Sequence, residues 1–162
     1  MPSSTIANQP FFRPMLQPPS RSLLQGFYED AGWSLREDGK FKSAIKANPM
    51  AHWVSVEIDK VKIGIARLDH VPPEDCYVSN LVIKHQYRGR GIGRWFLKNI
   101  EIHCAKLGIK RLLLVPETRN LPFYKALSFA PDPLVNGLLK KEIKLFQLKR
   151  PFVQNSNFSG HT

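Results

Sequence analysis

The chain has 162 residues, of which 43% are hydrophobic and 23% charged, which fits one folded domain and excludes a chain that is disordered throughout. Its formal net charge of +11 indicates an anionic partner, such as a phosphorylated ligand, a nucleic acid or an acidic protein surface. Two cysteines exclude a disulfide framework and a CxxC metal pair, and no apolar run approaches the length of a membrane span.

The two ends of the chain differ in composition from its middle. Residues 1–20 contain five prolines and predict an irregular or extended lead-in, with Phe11 and Phe12 as candidates for docking on the domain. One domain is expected over 21–150, followed by a frayed polar tail over 151–162. The N-terminus lacks a signal-peptide pattern and the cysteines are expected to stay reduced, so we expect a cytoplasmic protein without a bound metal.

Hydrophobic periodicity predicts the elements of the first half. The segment SLLQGFYEDAG is typical of a helix that ends at Gly32, and FKSAIKAN is typical of a second helix. Two alternating runs, 52–59 and 61–69, are separated by Asp59-Lys60 and predict a β-hairpin, and a third strand is predicted over 76–84.

The second half alternates helices and strands. A helix is predicted from Ile92 to a stop at Gly108, with Cys104 on its apolar side. The apolar run 109–116 is typical of a central strand buried on both faces, a short helix follows over 122–127, and 140–149 alternates as a half-exposed strand does. This order predicts a mixed sheet flanked by helices, of the α/β or α+β class.

The segment YRGRGIGRWF, residues 87–96, places three arginines and three glycines between a strand and the start of a helix. Glycines let successive backbone N–H groups face one point, and the first helical turn adds unpaired donors and the positive end of the helix dipole. Arginine side chains add charge-assisted contacts. The loop is therefore predicted to bind a diphosphate.

Two common phosphate-binding patterns are absent. There is no GxxxxGK[ST], which disfavours ATP or GTP hydrolysis. The dinucleotide pattern GxGxxG fails because position 94 is Arg94, and no acidic residue follows at the expected distance to bind a ribose hydroxyl. The pattern that remains is R-x-x-G-x-G, from Arg88 to Gly93.

The stretch LVIKHQYRGRGIGRWFLKNIEIHCAKLGIKRLLLVP resembles the acetyl-CoA-binding motif of the GCN5-related N-acetyltransferase (GNAT) family, and LPFYKALSF is similar to the family's later FYxKxGF segment. The resemblance covers roughly residues 76–130. It implies the acyl-CoA N-acyltransferase fold, with a mostly antiparallel central sheet. The activity that it implies is acetyl transfer from acetyl-CoA to a primary amine by direct attack on the thioester, with coenzyme A as product.

The resemblance also implies positions for the cofactor. The strand before the loop would bind the pantetheine arm through its backbone, and the loop amides would bind the pyrophosphate. The residues concerned are Leu81, Val82, Ile83, Arg88, Gly89, Arg90, Gly91, Ile92, Gly93 and Arg94. Asn120 is the best match to a family asparagine, at a shorter spacing than is common, and is either a cofactor contact or a helix cap.

Tyr124 matches the family tyrosine that protonates the departing coenzyme A sulfur. A phenol of ordinary pKa, near 10, is protonated at neutral pH and can donate that proton. One departure lies close by, since the glycine of the family's FYxKxGF is Ser128 here and the helix end lacks its usual left-handed residue.

The general base is not identified by the sequence. Many family members carry a carboxylate on the strand that reads CYVSNLVIK here. The nearby candidates are Glu57, Asp69, His70, Glu74 and Asp75. A water-relayed base or an α-amine, which has a lower pKa than a lysine amine, fits the missing carboxylate better.

Basic residues beyond the loop are candidates for a second surface that binds tRNA, ribosomal RNA or an acidic protein, with solvated faces as the simpler interpretation. They are Lys98, Lys106, Lys110, Arg111, Lys140, Lys141, Lys144, Lys149 and Arg150. Three alternative functions remain open: acetylation of aminoacyl-tRNA, as by toxins of the family, coenzyme A binding without catalysis, and RNA binding through the RGRG segment. The acceptor and the oligomeric state stay undetermined at this level.

Overall fold

The computed structural model describes residues 9–33 and 51–144 of the chain. Within these ranges the strands are β1 (Phe11–Pro14), β2 (Ala51–Ile58), β3 (Val61–Val71), β4 (Asp75–Ile83), β5 (Arg111–Leu114), β6 (Ala130–Pro131) and β7 (Leu139–Glu142). The α-helices are α1 (Arg21–Asp30), α2 (Ile92–Lys106) and α3 (Leu121–Ala126), with short 3-10 turns at His85–Tyr87 and Thr118–Asn120.

All seven strands join one sheet in the order β1-β2-β3-β4-β5-β7-β6. Every neighbouring pair is antiparallel except β4 and β5, which run parallel. The prediction of a mixed, mostly antiparallel sheet is therefore confirmed. The parallel pair is the one that the long helix α2 connects, as a crossover between parallel strands requires.

Helices cover both faces of the sheet. On one face, α2 buries Phe96, Ile100 and Cys104 against the inward side chains of β2 to β5. On the other face, α1 buries Leu24 and Phe27 against Trp53, Ile65 and Val82. Cys76 and Cys104 are both free and fully buried, which confirms that Cys104 is a core residue.

Local chain signals explain where several elements end. Asp59 and Lys60 both have positive φ, at 50° and 66°, as the tight turns of two-residue hairpins require. Gly32 and Gly108 follow the ends of α1 and α2 with φ of 72° and 79°, in the left-handed region that glycine adopts without strain. The predicted hairpin and both helix stops are confirmed.

Within the predicted irregular or extended lead-in, Phe11–Pro14 form the extended outer strand β1. This strand pairs with β2 from Phe11↔Glu57 to Pro14↔Val54, and the Phe12 ring lies 6.0 Å from that of Phe96. Proline is compatible with this position because an edge strand leaves one side unpaired, so a missing N–H breaks no ladder. The two-residue strand β6 was likewise not predicted.

Other predictions are confirmed in part. Strand β5 is interior, between β4 and β7, but only Leu112 and Leu114 are buried, while Leu113 on the opposite face is partly exposed. The last predicted strand is observed at Leu139–Glu142. The helix predicted in FKSAIKAN, residues 145–149 and the tail 151–162 lie outside the described residues.

Over residues 9–33 and 51–144, no helix has the length and hydropathy that crossing a membrane would require.

Candidate active site

Strands β4 and β5 pair over only three residues before they separate. The pairs are Asp75↔Arg111, Cys76↔Leu112 and Tyr77↔Leu113. On its other side β4 carries a bulge opposite Ile65–Arg67, where Asn80 has a φ of 52°. Because a bulge bends its strand, β4 turns away from β5 beyond this point. The Tyr28 hydroxyl donates to Asn80 Oδ1 at 3.1 Å and holds the bulge to α1.

A small cavity of about 80 Å³ lies between the two strands, and we call it the strand gap. Its walls are Val78–Leu81 of β4 and Leu114–Glu117 at the end of β5. Trp33, Asn120 and Tyr124 close it. The strand gap thus exposes unpaired β4 backbone beside side chains from three other parts of the chain.

A larger cleft of about 710 Å³ lies beside the strand gap. Nearly all the residues that the sequence assigned to the cofactor line it, namely Leu81, Val82, Ile83, Arg88, Gly89, Gly91, Ile92, Gly93, Arg94 and Asn120. Arg90 is the exception, since its guanidinium carbon lies 5.7 Å from the centroid of the Tyr87 ring. The cleft and the strand gap share Trp33, Leu81, Glu117, Asn120 and Tyr124.

Backbone conformation makes the loop end of the cleft suitable for a pyrophosphate. Gly89 and Gly91 have φ of 74° and 77°, and Gly91 is the N-cap of α2 without a side chain that caps the helix. The first helical bond runs from Trp95 N to Gly91 O, at 3.1 Å. The amides of Ile92, Gly93 and Arg94 therefore have no partner in the helix and, with the dipole, favour an anion.

Gly93 keeps this helix start close to α3. A Cβ at position 93 would lie 3.3 Å from Phe123 Cζ, tighter than most real contacts. Phe123 lines the cleft and packs edge-on against Tyr124, with their ring centroids 5.1 Å apart. The contact between Gly93 and Phe123 therefore fixes the position of the loop relative to Tyr124.

The Arg88 side chain turns back onto the protein. Its Nε donates to Ile83 O at 2.9 Å, and its Nη2 lies 3.5 Å from Asp30 Oδ2, which also accepts the backbone N–H of His85 at 2.7 Å. Arg88 thus ties the loop to β4 and to the end of α1. The other two arginines of the loop are Arg94, which lines the cleft, and Arg90, which is exposed.

Tyr124 is placed where the cleft meets the strand gap. Only 7% of the residue is exposed, and its ring packs edge-on against Phe123 and Phe129. Burial first, and then the charge of Glu117, raise the pKa of Tyr124 to about 12. The phenol therefore stays protonated throughout the neutral range, as a proton donor must.

Asn120 stands at the N-cap of α3, but its side chain makes no capping hydrogen bond. The interpretation of Asn120 as a helix cap is therefore wrong. Asn120 lines both the cleft and the strand gap. Its role in cofactor binding stays a prediction.

Glu117 is the site residue that the sequence analysis missed. One carboxylate oxygen accepts a hydrogen bond from Trp33 Nε1, and the other lies 2.8 Å from Arg119 Nε. Arg119 Nη2 in turn donates to Ala31 O at 3.4 Å. The available signal was its position, because a carboxylate just past an interior strand emerges at the strand's carboxyl end, where ligands often bind.

The five base candidates named from the sequence line neither cavity. Four are carboxylates in ion pairs, Glu57 with Arg13 and Lys62, Asp69 with Arg67, Glu74 with Lys110, and Asp75 with Arg111. His70 Nε2 lies 3.4 Å from Pro73 O. These contacts give each of the five residues a structural role in the sheet or its turns.

Five of the basic residues predicted to form a second surface line a groove of about 390 Å³ beside β7, and they are Lys98, Arg111, Lys140, Lys141 and Lys144. Three of them are in ion pairs: Lys141 with the buried Glu101 at 2.5 Å, Lys140 with Asp132 at 2.8 Å and Arg111 with Asp75 at 2.9 Å. Lys106 and Lys110 lie outside the groove, and Lys149 and Arg150 lie outside the described residues. Much of the groove's charge is therefore neutralised locally.

In the part of the chain that the structure describes, no three His, Cys, Asp or Glu side chains come together as a metal site needs.

Residues 14–129 match the acetyltransferase (GNAT) family, and the chain belongs to that family. A Bacillus subtilis protein named for alanine N-acetylation of ribosomal protein bS18 is 27% identical over 94 residues, covering 56% of this chain and 62% of that protein. The matched region spans only 56% to 62% of the length of the curated relatives.

Solved structures of the family share the fold. A GNAT-family protein from Desulfovibrio desulfuricans superposes with a TM-score of 0.69 at 16% identity, covering 84% of this chain and all of that one. A GNAT acetyltransferase from Elizabethkingia anophelis, solved with acetyl-CoA bound, gives 0.59 at 17% identity and covers 82% of this chain and 97% of its own. At this level of identity the likeness concerns the fold.

Proposed function

We propose that this protein is an acetyl-CoA-dependent N-acetyltransferase that transfers the acetyl group to a primary amine by direct attack on the thioester. The observation that carries the proposal is the position of Tyr124, whose buried and protonated phenol stands where the cleft opens into the strand gap. A cofactor thioester at this junction would have the proton donor on one side and the unpaired edge of β4 on the other.

Each part of the cleft has a task in this proposal. The amides of residues 92–94 bind the pyrophosphate, and Arg90 and Arg94 supply positive charge to the phosphates. The backbone of Leu81, Val82 and Ile83 binds the pantetheine arm along the edge that β5 leaves unpaired. Tyr124 gives its proton to the sulfur as the carbon–sulfur bond breaks.

The acceptor that we propose is the α-amine of a polypeptide. An α-amine with a pKa near 7.8 is neutral in about one molecule in ten at pH 7, whereas a lysine amine with a pKa near 10.4 is neutral in fewer than about one in a thousand. The strand gap has no carboxylate on β4, so an amine that needs less deprotonation suits it better. The Bacillus subtilis relative is named for transfer to an alanine of a protein.

Isothermal titration of acetyl-CoA into the full chain tests the first half of the proposal. The wild type should bind, and the double variant Arg88→Ala, Gly91→Trp should not, because it releases the loop and blocks its amides. The control is Gly137→Trp, which places the same side chain at another positive-φ glycine, outside the cleft. An absence of binding by the wild type would sink the acetyltransferase proposal.

The second half of the proposal, transfer to an α-amine, is tested by measuring the release of the coenzyme A thiol with three pools of acceptors. The pools are octapeptides with free α-amines, octapeptides whose α-amine is blocked but which contain one lysine, and aminoacyl-tRNA. Transfer to the first pool alone supports the proposal, and transfer to the third alone favours the tRNA alternative. Binding of acetyl-CoA without transfer to any pool would favour the alternative in which the protein binds coenzyme A without catalysis.

A further inference from the structure

We propose that Glu117 is the carboxylate that binds the acceptor's ammonium group and takes a proton from it. The inference rests on the proposed function and names the general base that the sequence left open. It differs from the family pattern stated above, because the carboxylate comes from the connection after β5 and not from β4.

Glu117 has the location that this role needs. It lines both the strand gap and the cleft, and in this it matches Tyr124. Among the described residues that line the two cavities it is the only acid, and it lies on the side of the strand gap that β5 provides. An amine in the strand gap would therefore find one carboxylate and one phenol.

The contacts of Glu117 hold it in place and leave part of it available. Trp33 Nε1 donates to one oxygen and Arg119 Nε to the other, at 2.8 Å. A carboxylate has about four acceptor positions, so two donors leave two for an ammonium group. Arg119 is itself tied to Ala31 O and is 64% exposed, so its charge is screened by water on one side.

The charge of Glu117 already acts inside the site, since it contributes to the raised pKa of Tyr124. The same negative potential favours an ammonium group over a neutral molecule. A carboxylate and a buried phenol that line one cavity can divide the work of base and acid.

The proton balance of the reaction closes with these two residues. The ammonium nitrogen gives its first proton to the Glu117 carboxylate, and its lone pair forms the bond to the acetyl carbon. As the carbon–sulfur bond breaks, Tyr124 protonates the sulfur and recovers a proton from the same nitrogen, which leaves the amide. Glu117, whose side chain is 39% exposed, releases its proton to water.

The test is Glu117→Gln in the full chain, with the pooled octapeptides that carry free α-amines as the probe. Glutamine keeps an oxygen for Trp33 Nε1 and removes the charge. We expect kcat/KM at pH 7 to fall about 100-fold or more, as loss of a general base does. At pH 9.5 the deficit should shrink to below about 10-fold, because an α-amine with a pKa near 7.8 is then already neutral.

Two further variants make the result specific. Glu74→Gln removes a carboxylate of the same kind that pairs with Lys110 outside both cavities, and it should leave kcat/KM unchanged. Glu117→Asp keeps the charge on a shorter stem and should retain more activity than Glu117→Gln at pH 7. Acetyl-CoA affinity should stay within about 2-fold of the wild type in all three, since transfer rather than cofactor binding is affected.

A deficit of Glu117→Gln that is equal at both pH values, or smaller than about 3-fold at pH 7, would overturn the base assignment. In that case the wild type would still transfer acetyl groups and the proposed function would stand. If the wild type binds acetyl-CoA but modifies no pool at either pH, the proposed function fails, and the base assignment with it.

Discussion

The loop end and the gap end of the cleft are built from different parts of the chain. One continuous segment, from Arg88 to Arg94, makes the loop end, and it contributes positive-φ glycines and helix amides that have no partner in the helix. At the gap end, Trp33 is far in sequence from Glu117 and Tyr124, and all three contribute side chains. The loop end should therefore be sensitive to backbone change, and the gap end to the loss of single functional groups.

Replacement of Tyr124 by phenylalanine tests the gap end most directly. The ring packing against Phe123 and Phe129 is kept and only the proton donor is lost, so we expect kcat to fall by about 10²- to 10⁴-fold. Acetyl-CoA affinity measured by titration should not change. In the wild type, the pH–rate profile should show no alkaline loss from Tyr124 below about pH 11, because its pKa of about 12 keeps it protonated there.

Replacement of Gly91 by valine tests the loop end, with Gly137→Val as the matched control. Both glycines have positive φ and open space around the missing Cβ, so each variant should lose about 1–2 kcal/mol of unfolding free energy. Only Gly91→Val should weaken acetyl-CoA binding, by about 100-fold if the loss of amide contacts costs about 2.7 kcal/mol. Equal effects of the two variants on affinity would contradict a backbone-made site.

Replacement of Trp33 by phenylalanine asks whether the contacts behind Glu117 matter to transfer. The variant keeps an aromatic wall and removes the indole donor to Glu117. Loss of one hydrogen bond to a charged group, about 1.5 kcal/mol, should lower kcat/KM by roughly 10-fold with little change in acetyl-CoA affinity. An unchanged kcat/KM at both neutral and alkaline pH would mean that transfer does not depend on the hydrogen bond from Trp33 to Glu117.

Replacement of Ser128 by glycine should have the smallest effect and the opposite sign. Ser128 follows α3 with a φ of 72°, in the left-handed region that costs a residue other than glycine free energy. The variant should gain up to about 1 kcal/mol, which is about 2–4 °C in melting temperature for a domain of this size. Ser128→Ala, measured by the same thermal unfolding, should show no gain.

Sequence reasoning recovered the loop end because everything that defines it is local. The glycines, the strand before them and the apolar periodicity of α2 all lie within about thirty consecutive residues, so one short segment predicted the conformation. Most strands of the fold were predicted for the same reason. The edge strand β1 was not predicted as a strand because the prolines in and around it are typical of irregular chain, and only its position at the edge beside β2 makes Pro14 compatible with a sheet.

The sequence named Tyr124 at the gap end, but Trp33 and Glu117 could not be predicted in the same way, because their places there depend on tertiary contacts. In the sequence, only its position just past β5 distinguishes Glu117 from the other acids, and its contact with Trp33, 84 positions away, depends on the fold. The four carboxylates chosen as base candidates by proximity in sequence are in ion pairs of the sheet and its turns. Asn120 was similarly ambiguous, because a cap and a cavity residue share the same position before a helix.

The edge strand β1 also bears on how the protein should be handled. It covers the outer edge of the eight-residue strand β2, and Arg13 pairs with Glu57 at 2.8 Å across that boundary. A shortened chain that starts after Pro14 would present this row of unpaired backbone groups to solvent, ready to pair with another molecule. Such a truncation should therefore yield self-associating material, even though every residue of the cleft would be present.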